Sequence, residues 1–95
     1  MSFTTLKNEI LAFCYQSETN FKTIILLTKK HSKSIGKSET LKEAEAALSK
    51  LIIKKEIKIK TDSDNNLVFT ITDLGEKVIE NYFVNNGQEE YINCL

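Results

Sequence analysis

The apolar pattern changes its period once, at Glu56, and this change constrains the fold more than any other feature. Before it, Leu41, Ala44, Leu48, Leu51 and Ile52 step by three, four, three and one. Those steps set them on one face of a helix, with good helix formers in the gaps. After it, Ile57 and Ile59 alternate with Lys58 and Lys60, the period of a strand with one wet face. Asp62-Ser63-Asp64-Asn65-Asn66 is a turn cluster. Leu67, Phe69 and Ile71 then alternate with Val68, Thr70 and Thr72, which predicts the return strand of a hairpin.

Helices are expected on both sides of this unit. Thr72 can cap a last helix whose buried stripe is Leu74, Val78, Ile79, Tyr82 and Phe83, stopped by Asn85-Asn86-Gly87. At the start, Phe3, Leu6, Ile10 and Phe13 or Cys14 recur at helical steps, so a helix is predicted over residues 3–17. Residues 17–20 read as a polar loop in which Thr19 or Asn20 caps the next element. Residues 21–31 contain a β-branched run that suits a strand. Their length, and the spacing of Phe21, Ile24, Ile25, Leu27 and His31, fit a helix better. Residues 32–37 form a turn, and Ser38 is the expected N-cap of the third helix, with Glu39 in its first turn.

The expected class is α+β, mostly α, in the order helix, helix, helix, strand, strand, helix. A chain of 95 residues holds one such domain, here residues 1–87, with 88–95 as a short tail. The longest apolar run is Ile24-Ile25-Leu26-Leu27, far short of a membrane span. Residues 1–5 lack the pattern of a secretion signal. Cys14 falls on an apolar face as a buried thiol and Cys94 is next to last, so a reduced, cytoplasmic setting is the expectation.

Charge is divided along the chain. Thirteen Lys balance thirteen acids, and there is no Arg. From Lys22 to Lys60 eleven Lys face four Glu, a balance of +7, whereas from Thr61 onward the balance is −6. A neutral total therefore still allows one face that attracts a polyanion. His31 has no second ligand at metal spacing. Ile35-Gly36-Lys37-Ser38 lacks the earlier Gly and the strand of a phosphate loop. No cofactor, metal or catalytic set is expected, and the chain reads as a binding protein, not an enzyme.

Three stretches together resemble a winged helix-turn-helix domain of the small MarR-like and PadR-like kind. They are the short helix, turn and longer helix over residues 21–54; the run Leu48-Ser49-Lys50-Leu51 followed by Lys54-Lys55-Glu56-Ile57; and Phe69-Thr70-Ile71-Thr72-Asp73-Leu74-Gly75. In the resembled family the Thr of the last motif caps the final helix and the Gly permits close packing. The chain departs from the family at Lys55, where a Gly usually leaves the helix with positive φ, and in a longer turn before the third helix. The resemblance implies a dimeric, double-stranded-DNA-binding transcriptional regulator whose third helix enters the major groove. On that basis Lys33, Lys37, Ser38, Thr40, Lys42, Lys54, Lys58 and Lys60 are the expected DNA contacts, with Lys29 and Lys30 as further phosphate neighbours. Phe3, Leu6, Ile10, Tyr82, Phe83 and Tyr91 are the expected dimer interface. The rival expectation is a winged helix used as a protein-interaction module, motivated by the absent Arg, by Glu39, Glu43 and Glu45 on the third helix, and by the acidic turn at Asp62 and Asp64.

Overall fold

The computed structural model describes residues 5–31 and 37–87, the side chains of 37–39 excepted. Its elements run α1 (Leu6–Gln16), β1 (Thr19–Asn20), α2 (Phe21–His31), α3 (Lys37–Ile53), β2 (Ile57–Thr61), β3 (Leu67–Ile71) and α4 (Asp73–Asn85). The expected tail at 88–95 and most of the turn at 32–37 lie outside the described residues. The four helices and the β2–β3 hairpin match the order expected from sequence. The three strands form one antiparallel sheet in the order β1-β3-β2.

The first strand corrects the polar loop expected at residues 17–20. Thr19 pairs with Phe69 and Asn20 with Val68, so the chain leaving α1 is stitched to the far side of the hairpin. Two residues are too few to show a period of two, which is why the alternation test misses them. The capping expectation does hold, because the Asn20 side chain accepts a bond from the Thr23 amide at 2.8 Å.

Helix α1 is the centre of the core. Ile10, Leu11, Ala12, Cys14 and Tyr15 are all buried, while Phe13 turns outward. The helix packs against α2, α3, α4 and β3, so its apolar surface wraps around more of the cylinder than a single stripe. Ile24 and Leu27 from α2, Ala44, Ala47, Leu48 and Leu51 from α3, Ile57 and Phe69 from the sheet, and Ile79 and Phe83 from α4 close the core around it.

The joint between α3, β2 and α4 shows why Glu56 marks the change of period. Glu56 N–H donates to the Leu51 carbonyl and Lys55 N–H to the Ile52 carbonyl, each at 2.9 Å. This pair of bonds is a Schellman ending, which needs a left-handed residue at Lys55. Lys55 accordingly has φ 60°, in the place where the resembled family carries Gly. The Glu56 carbonyl in turn accepts the Thr72 amide at 3.0 Å. The Thr72 hydroxyl donates toward the Lys55 and Glu56 carbonyls, at 2.6 and 3.0 Å, and accepts the Gly75 amide as the N-cap of α4. Gly75 lies flush on this joint. A Cβ there would collide with the Glu56 carbonyl oxygen and come within 2.8 Å of Ile71 Cγ1.

Two substitutions probe the joint from opposite sides. Gly75→Ala is expected to cost about 3 kcal/mol by overpacking rigid backbone. Lys55→Gly is expected to gain about 1 kcal/mol by removing a left-handed side chain. Urea unfolding checks both; a neutral Gly75→Ala would mean that the helix does not sit against the Glu56 carbonyl.

Burial pushes the Cys14 thiol up from 9.0 to about 11, and a hydrogen bond with Thr19 offsets only part of that. The unfolded thiol therefore ionises first as pH rises, and stability that is full below pH 9 is lost on approach to about 11. The stability difference between the native chain and Cys14→Ala is expected to narrow across this window. A difference that stays flat from pH 8.5 to 11 would contradict a thiol held protonated by the core.

Candidate nucleic-acid interface

The lysine-bearing strand is best understood from its hydrogen-bond parity. Lys58 pairs with Thr70 and Lys60 with Val68. The bonds from Thr72 N–H to the Glu56 carbonyl and from Asp62 N–H to the Asn66 carbonyl bracket these pairs at the same parity. In an antiparallel ladder, bonded and non-bonded pairs alternate. The backbone groups of Lys58 and Lys60 therefore point at β3, and those of Ile57, Ile59 and Thr61 point away from it. Side chains alternate as well. Ile57, Ile59, Phe69 and Ile71 share the core-side face, and Lys58, Lys60, Val68 and Thr70 share the outer face.

Lys60 does not stand free on that outer face. Its ammonium pairs with the Glu18 carboxylate, just ahead of β1 on the opposite side of the sheet. To reach it the side chain crosses β3 at Val68, its cross-strand neighbour, which is only 9% exposed. Lys54, Lys55 and Lys58 are exposed and have no carboxylate partner among the described residues. They bracket Glu56, whose own side chain is buried and lies 3.8 Å from the Lys7 ammonium.

On α3, Lys42 is exposed as expected, but so are Glu43, Glu45 and Lys50. Thr40 corrects the sequence reading. It is 1% exposed and shares the buried stripe with Ala44, Ala47, Leu48 and Leu51, which leaves it no access to a groove. Leu41, expected inside, is the exposed neighbour. Lys37 and Ser38 fall in the first turn of α3 by their backbone, with side chains outside the described set, and Lys33 lies outside it altogether.

The hairpin turn is acidic for a structural reason. Asp62 Oδ1 accepts the amides of Asp64 and Asn66 at 2.8 and 3.0 Å, and Asn65 takes φ 63°. Asp62 is thus committed to holding the turn, whereas Asp64 contributes only its amide.

Two expected dimer contacts belong to the core instead. Ile10 is fully buried, and Phe83 is 2% exposed with its ring edge-on to Tyr15 and Tyr82. Leu6 and Tyr82 are half-buried and pack against the core. Phe3 and Tyr91 lie outside the described residues.

Sequence reasoning missed a cleft of about 250 Å³ between the start of α1 and the middle of α3, lined by Thr5, Leu6, Lys7, Glu43, Ala46, Ala47 and Lys50. Its walls come from segments distant in sequence, so no local pattern announces it. Among the described residues there is no cluster of metal-ligating side chains. His31 Nδ1 lies 3.1 Å from Glu9 Oε2 and ties α2 to α1. Among the described residues no helix is long and apolar enough to cross a membrane. Compared with family models, curated proteins and solved structures, the chain matches none.

The two turn aspartates are expected to differ in worth. Asp62→Ala should cost about 1 kcal/mol, having removed the acceptor for two amides. Asp64→Ala should stay within about 0.5 kcal/mol of the native chain. Equal effects in urea unfolding would contradict the assignment of Asp62 as the turn's organiser.

Proposed function

We propose that the chain is a winged-helix domain that binds double-stranded DNA, acting as a small dimeric transcriptional regulator in the cytoplasm. The order α1-β1-α2-α3-β2-β3, with β1 added to the hairpin in the sheet order β1-β3-β2, supports the winged-helix reading. The observation that carries the binding role is that Lys54, Lys55 and Lys58, close in the chain where α3 passes into β2, are all exposed and have no carboxylate partner among the described residues. Amines that touch phosphates there would lay α3 along the groove.

The exposed face of α3 sets Lys42 and Lys50 against Glu43 and Glu45. The attraction therefore comes from the amines at and beyond the C-terminal end of α3, not from the helix face itself. With Ile10 and Phe83 in the core, dimerisation falls to the outer surfaces of α1 and α4, where Leu6 and Tyr82 remain partly accessible. The role is binding, without a cofactor or a reaction.

Three neutralised phosphates per protomer give a dimer a log–log salt slope of about −5 on duplex DNA. Lys58→Ala, which removes one amine per protomer, is expected to shallow that slope by about 2. Glu18→Gln, which releases Lys60, is expected to steepen it. Fluorescence anisotropy on a duplex of about 20 base pairs, long enough for two half-sites, measures all three. Absence of binding at the lowest salt would overturn the proposal.

A further inference from the structure

The free edge of β2 offers more than a row of amines. By the parity of the β2–β3 ladder, the backbone groups that point away from β3 belong to Ile57, Ile59 and Thr61; Ile57 is buried, so the accessible stretch of edge is Ile59 and Thr61. Among the described residues nothing pairs with them. The same strand is two-faced. On the core side Ile59 is 47% exposed, and Leu67 on β3 is 58% exposed, where the hairpin outruns the helices that cover its base. On the outer side stand Lys58 and Lys60.

An exposed edge with inward apolar and outward basic residues selects its occupant. A second copy of β2 would bring the unpaired Lys58 onto another basic strand face, and like charges on facing strands destabilise pairing. A strand with acids on the outer face and apolar residues on the inner one would satisfy the backbone edge, cover Ile59 and neutralise Lys58, the outer-face amine that Glu18 does not engage. We propose that the β2 edge receives an extended segment of a protein partner in which acidic and apolar residues alternate. This contact goes beyond the duplex reading and uses the strand's edge, whereas the duplex needs its outer face. Lys58 belongs to both surfaces, so partner and duplex exclude one another.

The test uses the full chain, ¹⁵N-labelled, and a short capped peptide alternating Glu and Val. Binding is expected to shift the Ile59 and Thr61 amides and slow their exchange, while the Lys58 and Lys60 amides, already bonded to β3, change little in exchange. Lys58→Glu should weaken this peptide about fivefold or more and confer binding of the matching Lys–Val peptide. Ile59→Pro removes an edge-facing N–H and no β2–β3 bond, so it should abolish binding while the hairpin amides stay protected. Its failure to fold would leave the charge swap as the deciding variant.

Several results would overturn the proposal. One is no shift at peptide concentrations up to about 1 mM. Another is equal binding by a peptide of the same composition with its Glu and Val in separate blocks, which would mark a polyanion surface only. A third is concentration-dependent protection of Ile59 and Thr61 without peptide, which would make a second copy the occupant. Duplex titration of the same sample separates the two ideas. Peptide binding can fail with duplex binding intact, and the reverse.

Discussion

The carbonyl oxygen of Glu56 is the point on which the architecture turns. It accepts both the amide and the hydroxyl of Thr72 while Gly75 lies against it. One acceptor thus fixes where α3 has ended, where β2 begins and how α4 enters. Buried backbone groups must find partners, and here the partner of the β2 entry is the cap of the next helix. The hairpin cannot swing on α3 without breaking the α4 cap. The backbone that carries Lys54 and Lys55 is consequently held at a hydrogen-bonded joint, and that of Lys58 in the β2–β3 ladder.

The sheet extends the same logic to the N-terminal side. β1 ties the α1–α2 corner to β3, and the Lys60–Glu18 pair crosses the sheet above it. Exposed ion pairs of this kind contribute little to stability. Its effect is on shape, because it joins the corner before β1 to the outer strand β2. The hairpin is therefore braced from both ends: at its base by the Glu56 joint, and along its outer face by β1 and Lys60.

Much of this was legible in the residues, and the omissions have physical causes. The change of period at Glu56, the Thr72 cap and the close-packed Gly75 are all local chemistry, and local chemistry is what sequence displays. The buried stripe of α3 was displaced by one position, because Leu41 looks more apolar than Thr40. Tertiary packing chose Thr40, which is 1% exposed while Leu41 is 39% exposed. Ile10, on the apolar stripe of α1, also reads as a dimer contact for a different reason. A helix surrounded by four neighbours buries more of its circumference than a surface helix, and nothing in the spacing of α1 says that it is surrounded. The cleft and the Lys60–Glu18 pair join residues far apart in the chain, so no window of sequence contains them.

Charge shows most directly how folding changes what the residues alone suggest. In the run Lys54-Lys55-Glu56-Ile57-Lys58 the glutamate stands among three lysines and should temper them. The Schellman ending puts Glu56 at the position whose side chain closes back over the helix terminus, and there it is buried and faces Lys7. Its charge answers a lysine from α1, so it is withdrawn from the surface its neighbours occupy. The backbone geometry that ends α3 thus also strips the local counter-charge from three amines. The burial of Glu56 beside Lys7 is a consequence of how the helix stops.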